Sequence, residues 1–152
     1  MKLRLIPIGE DGSPARCPGN MTPAARDAME GTAHLYTEVG FHPPWIGYLA
    51  DWDGDVVGTC AFKSPPHDGR VEIAYHTFAE YEGRGLSSEM ARQLVQMAHD
   101  ADTQVEVIAQ TLPQENASTR ILSKLGFVLD GKIEHPDDGP VWQWRLPVRS
   151  TA

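Results

Sequence analysis

Cysteine is scarce in this chain, with two cysteines among 152 residues. Small secreted domains held together by disulfides need several pairs, so the sequence excludes that class. Cys17 and Cys60 could pair only if the fold made them neighbours, and two cysteines in a cytosolic protein are most often free. The start, MKLRLIPI, lacks the apolar core and the cleavage site of a signal peptide. We therefore expect a cytoplasmic protein.

Positive charge and long apolar runs are also lacking. The chain has 13 basic and 21 acidic residues and a net charge of −8, whereas non-specific nucleic-acid binding needs a basic face. No apolar run approaches the roughly 20 residues that span a bilayer. The six histidines and two cysteines show no Cys-x-x-Cys or His-x-x-x-His spacing. We expect no nucleic acid, no membrane and no metal. The acidity mildly favours a cationic substrate such as an amine, although solubility alone is the simpler explanation.

The composition that remains is that of a single globular domain spanning residues 1–152. Apolar residues make up 41% and charged residues 22%, and the length suffices for one core but not for two. Hydrophobic periodicity and turn residues predict the order β-α-β-β-β-α-β-α-β-β. The predicted strands are 2–8, 45–51, 56–62, 71–78, 104–110, 128–133 and 141–146. A helix crosses over between strands 71–78 and 104–110, so these two strands should be parallel.

The stretch 71–100 combines a strand, a glycine turn and a helix start. Its second half repeats apolar residues at Leu86, Met90 and Leu94, which is typical of an amphipathic helix. The first N–H groups of a helix lack intrahelical acceptors and carry partial positive charge, so they favour an anion such as phosphate. Gly83 and Gly85 allow close approach of a ligand to the backbone. Arg84 adds a cation.

Two common phosphate-binding patterns fit this turn poorly. The Walker pattern needs a longer loop ending in Gly-Lys-Ser/Thr, and the Rossmann fingerprint needs a third glycine where this chain has Ser88. Residues 82–88, EGRGLSS, instead resemble the pyrophosphate loop of the GNAT superfamily, the CoA-dependent N-acyltransferases, usually written Gln/Arg-x-x-Gly-x-Gly/Ala. Glu82 departs from the Gln/Arg position, and Ser87 departs from the last small position.

A second motif, downstream, strengthens the resemblance. Residues 112–127, LPQENASTRILSKLGF, resemble the segment after the fifth strand in the branch that includes the ribosomal-protein N-terminal acetyltransferases. There an asparagine opens a helix that ends in Lys-Leu-Gly-Phe. In this chain Asn116 or Ser118 can cap such a helix, and Gly126 stands where a left-handed residue is favoured. On both motifs, which together with their flanks cover residues 45–144, the chain is identified as a member of the GNAT superfamily.

The resemblance implies the GNAT acyl-CoA N-acyltransferase fold, of the α/β (α+β) class. A central, twisted, mixed sheet of six to seven strands is flanked by helices, and its parallel strands 4 and 5 splay apart. Acetyl-CoA is the implied co-substrate, with its pantetheine arm in the gap between those strands and its diphosphate on the glycine turn. The implied cofactor-binding residues are His76, Thr77, Phe78, Gly83, Arg84, Gly85, Leu86, Ser87, Ser88 and Asn116.

The resemblance also suggests catalytic residues. Glu72 is the candidate general base, because residues 72–75, EIAY, resemble a segment of the histone-acetylating branch whose glutamate has that role. Glu72 could equally face solvent or pair with Arg70. The family commonly has a tyrosine that protonates the leaving thiolate, and this chain has Leu122 at that position. Ser118 stands where the ribosomal-protein-acetylating branch has a serine in that role, with a second helix cap as the alternative. The thiolate could also leave unaided, since thiols titrate at about 8.5.

These features imply an acetyl-CoA-dependent N-acetyltransferase. It would transfer an acetyl group to a primary amine, on a small molecule or a peptide N-terminus, by direct attack of the amine on the thioester. The missing tyrosine motivates an alternative, a non-catalytic acyl-CoA-binding module of the same fold. The sequence does not name the acceptor amine, and it leaves a homodimer open.

Overall fold

The computed structural model describes residues 2–16 and 18–147. It contains one seven-stranded sheet in the order β1-β2-β3-β4-β5-β7-β6. The strands are β1 Leu3–Pro7, β2 Gly47–Trp52, β3 Asp55–Phe62, β4 Arg70–Thr77, β5 Glu106–Thr111, β6 Val128–His135 and β7 Gly139–Leu146. The helices are α1 Pro23–Val39, α2 Leu86–Ala101 and α3 Ala117–Lys124, with a short 3-10 turn at Ala79–Tyr81. The predicted order of strands and α-helices is confirmed, and the strand ends shift by one or two residues.

Local sequence signals account for the ends of the first helix and the first hairpin. The Thr22 hydroxyl caps α1 by accepting the Ala25 N–H at 3.2 Å, and Pro23 occupies the first turn, where no N–H is needed. The β2–β3 hairpin turns through Asp53 and Gly54, whose φ angles are 52° and 95°. Positive φ at both positions is what a type I′ hairpin turn requires, and Asp-Gly is a sequence that favours this turn.

The sheet registers show which helix covers which face. A side chain on Gly47 would meet Thr32 of α1, whereas one on Gly58 would meet Met90 of α2. Gly58 pairs with Ala50, three residues beyond Gly47 on β2, so the two glycines point to opposite faces. Helix α1 therefore lies on one face and α2 on the other.

Helix α3 shares the face of α2. Gly126, just after α3, faces Leu146 of β7, and Leu146 pairs with Val107, which in turn pairs with Val71 of β4. Thr77 of β4 pairs with Gly58, which faces α2. Every second residue of a strand points to the same side, so Val71 also lies on the α2 side. Within the described residues, α1 packs mainly against β3. On the α1-side face of β4 and β7, polar side chains such as Arg70, Glu72 and Arg145 are consequently exposed or half-buried.

The expectations about cysteines, membrane-spanning helices and metal sites concern the following features of the described residues. Cys60 is buried and free, and Cys17 lies outside the described residues. No helix among them is both long and apolar enough to cross a membrane. No group of three or more His, Cys, Asp or Glu side chains in that part of the chain is arranged to hold a metal ion.

Candidate functional site

The parallel strands β4 and β5 are joined at one end and separate at the other. Their register runs from Arg70 opposite Glu106 to Glu72 opposite Ile108. Beyond those pairs β4 continues to Thr77 and β5 to Thr111 without pairing to each other. The predicted splay of strands 4 and 5 is therefore confirmed, and it opens the centre of the sheet.

The backbone of β4 presents alternate residues to this gap. The Lys63 N–H donates to the Glu72 carbonyl at 2.9 Å, and the Phe78 N–H donates to the Val57 carbonyl at 2.8 Å. In a strand, backbone groups point alternately to the two neighbours. The even-numbered residues therefore bond β3, and the N–H and C=O groups of Ile73, Tyr75 and Thr77 face the gap. Of the predicted backbone contacts His76, Thr77 and Phe78, Thr77 has this orientation.

A cavity of about 730 Å³ lies between α2, α3 and the end of β4. It brings together seven of the predicted cofactor-binding residues, from β4, the glycine turn and the start of α2, and it also includes Ser118 of α3. Its lining residues are Tyr75, His76, Thr77, Tyr81, Glu82, Gly83, Gly85, Leu86, Ser87, Ser88, Ala117, Ser118, Arg120, Ile121 and Lys124. Strand, turn and helix converge here as predicted from residues 71–88.

The start of α2 is arranged differently from the starts of the other two helices. Thr22 and Asn116 cap α1 and α3 with side-chain oxygens, whereas the residue before α2 is Gly85, which has no side chain to do so. Gly85 has φ 76° and ψ 14°, a left-handed conformation suited to glycine. The N–H groups of the first α2 turn are therefore available to an anion in the cavity. The Ser87 hydroxyl is 2.6 Å from that of Thr77, which ties this turn to β4.

Three predicted cofactor-binding residues lie outside the cavity lining. The Arg84 guanidinium lies 5.6 Å from the ring centroid of Trp52, a cation–π arrangement with the β2–β3 hairpin. Phe78 follows β4, and its ring contacts that of His76 edge-on at a centroid distance of 5.9 Å. Asn116 uses its side-chain oxygen to accept the Thr119 N–H at 3.1 Å, which caps α3. Of the two cap candidates, Asn116 is the helix cap.

Two basic residues that sequence reasoning missed line the cavity from α3. Arg120 and Lys124 follow Ala117 and Ser118 at helical spacing and face the same space. The signal was present, because residues four apart share a face of a helix. Their positive charges stand in the same cavity as Glu82, the carboxylate at the position where the family has Gln or Arg.

A second, smaller cavity of about 110 Å³ passes through the gap toward the opposite face. Its residues come from both sides of the sheet. Glu72, Ala74 and Gln110 lie on the α1-side face, and Tyr75 lies on the α2-side face. The full lining is Lys63, Glu72, Ile73, Ala74, Tyr75, Ala109, Gln110 and Ser118. Tyr75 and Ser118 line both cavities, so the two spaces meet at these side chains.

Glu72 makes a different contact from the one considered in the sequence. Its Oε2 lies 2.9 Å from the Lys63 Nζ, and its side chain is 20% exposed. Arg70, the alternative partner, instead forms a salt bridge with Glu106, with Nε and Oε1 2.7 Å apart, and approaches Asp130 at 3.7 Å. The expectation of a Glu72–Arg70 pair is therefore wrong, because Arg70 stands opposite Glu106 in the parallel register. Glu72 lines the small cavity with its charge compensated by Lys63.

Tyr75 is a third cavity residue that the sequence did not single out, after Arg120 and Lys124. Burial raises the pKa of its phenol to about 12, and the nearby Ser118 hydroxyl acts weakly in the opposite direction. The phenol therefore stays protonated at neutral pH and can donate a hydrogen bond where the cavities meet. Leu122, at the position of the family's tyrosine, is fully buried. The residue pattern of β4 does not distinguish Tyr75 from its neighbours, because its proposed role depends on the gap between β4 and β5.

Comparison with known proteins agrees with this geometry. Residues 16–128 match the protein-family model of the acetyltransferase (GNAT) domain. The chain is 28% identical over 80 residues to an uncharacterized N-acetyltransferase p20 of Bacillus licheniformis, covering 52% of this chain and 45% of that protein. It is 30% identical over 88 residues to an uncharacterized N-acetyltransferase YjdG of Bacillus subtilis, covering 58% and 52%. The chain thus spans about half the length of the curated relatives it matches.

Solved structures of low sequence identity share the fold. A RimL ribosomal L7/L12 alpha-N-protein acetyltransferase aligns with a TM-score of 0.68 at 16% identity, over 97% of this chain and 94% of that one. The microcin C7 self-immunity acetyltransferase MccE, in complex with acetyl-CoA and AMP, aligns with a TM-score of 0.65 at 14% identity, over 86% and 73%. The family match covers well over half of the residues. On this evidence the chain belongs to the GNAT acetyltransferase family.

Proposed function

We propose that this protein is an acetyl-CoA-dependent N-acetyltransferase that transfers an acetyl group to a primary amine of a small molecule or a peptide N-terminus. The observation that carries the proposal is the meeting of two cavities at Tyr75 and Ser118. The larger one offers N–H groups and cations to a cofactor. The smaller one leads to the opposite face of the sheet, where an acceptor can approach.

Coenzyme A fits the larger cavity by charge and by hydrogen bonding. The N–H groups of Leu86, Ser87 and Ser88 would bind the diphosphate, with Arg120 and Lys124 as cations on the facing helix. The backbone groups of β4 that face the gap would pair with the pantetheine amides as an added strand does. Arg84, His76, Phe78 and Asn116 remain proposed contacts from the family resemblance.

The chemistry requires modest help from the protein. Acetyl-CoA supplies an activated thioester, so a C–N bond forms to the amine as the C–S bond breaks. Glu72 would accept the proton that the amine loses, from the acceptor side of the gap. Ser118 would give a proton to the leaving thiolate, and the Tyr75 phenol would donate a second hydrogen bond there. The two sides of the gap thus hold the proton acceptor and the proton donors separately.

Binding and turnover should be measured separately. We expect calorimetry to detect CoA and acetyl-CoA binding, and CoA release to appear with members of a panel of small amines and peptides. Binding without release from any acceptor would favour the alternative, a non-catalytic acyl-CoA-binding module, which the absence of a tyrosine at Leu122 motivates. Competition by ATP or NAD but not by CoA would contradict both.

Three further expectations accompany this proposal. Residues 1–152 would act as one catalytic domain, which the single sheet and the single core cluster of the described residues support. A homodimer is tested by light scattering of the purified protein. A cytoplasmic location stays a prediction that fractionation of cells tests.

A further inference from the structure

Charged side chains that form salt bridges lie in and beside the small cavity. On the α1-side face of the sheet, Lys63 bonds Glu72, with Nζ to Oε2 at 2.9 Å. Next to this pair lies a network of two arginines and two carboxylates, in which salt bridges join Arg70 to Glu106 at 2.7 Å and Arg145 to Asp130 at 3.3 Å. The six residues come from the end of β3 and from β4, β5, β6 and β7. Lys63 and Glu72 line the small cavity itself, and the network adjoins them at the end where β4 and β5 are still paired.

These charges balance. Three cations, Lys63, Arg70 and Arg145, face three carboxylates, and each carboxylate has a basic partner within 4 Å. The protein as a whole carries a charge of −8, so its excess negative charge lies outside this group of six. An acceptor with several positive charges would find no uncompensated carboxylate among these six residues. Its second cation would also be repelled by Lys63 at the point where its amine meets Glu72.

We propose that the acceptor is a small zwitterion in which the reacting amine stands beside an anionic group, as in an amino acid with a free carboxylate. The inference rests on the proposed acetyltransferase function and names its substrate class. The amine would meet Glu72 and the carboxylate would meet Lys63. Glu72 would thus exchange the Lys63 ammonium for the ligand's ammonium, and Lys63 would exchange the Glu72 carboxylate for the ligand's carboxylate. The Gln110 side chain adds a neutral hydrogen-bonding group to the lining.

The test compares acceptors that differ only in the group beside the amine. Amino acids with a free carboxylate, the same amino acids as carboxamides, and diamines of the same skeleton form three charge classes. Rates are expressed as kcat/KM per unprotonated amine, from CoA release. A peptide that starts with aspartate shows whether the carboxylate can come from a peptide, and spermidine and kanamycin represent polycations. The same compounds are titrated calorimetrically into the CoA-loaded protein, which detects acceptor preference without turnover.

We expect amino acids to exceed their carboxamides by about tenfold, the usual scale of one hydrogen bond to a charged group, with diamines lowest. Lys63→Gln should remove that preference, and Lys63→Arg should largely keep it. The ratio between classes is the informative quantity, because losing Lys63 also releases the Glu72 carboxylate, which meets the reacting amine of every acceptor. Diamines should gain in addition, since Lys63 no longer repels their second cation. Lys132→Gln is the matched control, since Lys132 is exposed on β6 and pairs with Trp142 on the other face of the sheet.

Three outcomes would overturn the inference while leaving the acetyltransferase proposal intact. One is a preference for diamines, spermidine or kanamycin over amino acids. Another is an equal loss of rate for all three classes in Lys63→Gln. The third is failure of amino acids to bind the CoA-loaded protein more tightly than their amides. A protein that does not bind CoA at all would instead refute the proposed function itself.

Discussion

Placing a carboxylate at the start of α2 should weaken cofactor binding, and the size of the effect can be worked out from Coulomb's law. Gly85 has φ 76° and ψ 14° and stands directly before the N–H groups proposed to hold the diphosphate. In Gly85→Asp, a carboxylate about 6 Å from one phosphate charge costs about 0.7–3 kcal/mol at an effective dielectric constant between about 80 and 20. Two phosphates therefore cost roughly 1.5–6 kcal/mol. Because about 1.4 kcal/mol is tenfold in Kd, we expect CoA to bind at least about tenfold and up to roughly ten-thousandfold more weakly.

Two companion variants separate charge from backbone strain. Gly85→Asn has nearly the same shape as Gly85→Asp without the charge, and asparagine tolerates the left-handed conformation better than most residues. Gly69→Asp is the matched control, because Gly69 also has a positive φ, of 78°, has open space around it and lies away from the cavity. We expect CoA affinity to follow the order wild type and Gly69→Asp, then Gly85→Asn, then Gly85→Asp.

Calorimetric titration of CoA at two salt concentrations is the assay. The difference between Gly85→Asp and Gly85→Asn should shrink at high salt, since salt screens the added repulsion. Equal affinity of Gly85→Asp and wild type would show that the diphosphate does not lie on this turn. Equal weakening in the Asp and Asn variants would show that shape, and not charge, decides binding there.

Three other changes test the catalytic groups and the sheet. Glu72→Gln should lower the rate mainly at low pH, where more of the amine is protonated, and an unchanged pH–rate profile would remove Glu72 from the mechanism. Tyr75→Phe should lower kcat about tenfold with CoA affinity unchanged, the scale of one hydrogen bond to a charged group, and an unchanged kcat would exclude the phenol. Because burial raises the folded pKa of Tyr75 from 10 to about 12, the stability that this phenol contributes is present below pH 10 and is lost as pH rises toward 12. Gly58→Ala should destabilise the fold by about 1–3 kcal/mol in urea unfolding, since the added methyl would run into the His76 carbonyl oxygen and the Met90 side chain. Its control, Gly31→Ala, fills open space in α1 and should stabilise the protein by about 0.5–1 kcal/mol; equal effects of the two variants would contradict the close approach at Gly58.

Predictions that depend on neighbours in the chain were reliable. The Thr22–Pro23 start of α1, the Asn116 cap and the left-handed Gly126 each follow from residues within one helical turn. The glycine turn before α2 belongs to the same class. Short-range rules of capping and backbone conformation suffice for such features, because the groups that satisfy them are adjacent in sequence.

Predictions that depend on partners far along the chain were less complete. Arg84 is adjacent to the proposed phosphate site in sequence, but Trp52 of a distant hairpin holds its guanidinium. Glu72 pairs with Lys63 rather than Arg70, because the parallel register sets Arg70 opposite Glu106. A strand pattern predicts which residues share a face but not which strand will lie alongside, so it cannot identify these partners.

Successive side chains of β4 point to opposite faces of the sheet, which separates the acceptor side of the proposed reaction from the cofactor side. Glu72 and Ala74 point to the α1-side face, whereas Ile73, Tyr75 and Thr77 point toward α2 and α3. Substitutions at Glu72 and Ala74 should therefore change the acceptor with little effect on the cofactor, and those at Tyr75 and Thr77 should do the reverse. A shift of β4 by a single residue would exchange the two sets. The β3–β4 pairing that fixes this register, tightened by the close approach at Gly58, is consequently as important for the proposed chemistry as the residues that carry it out.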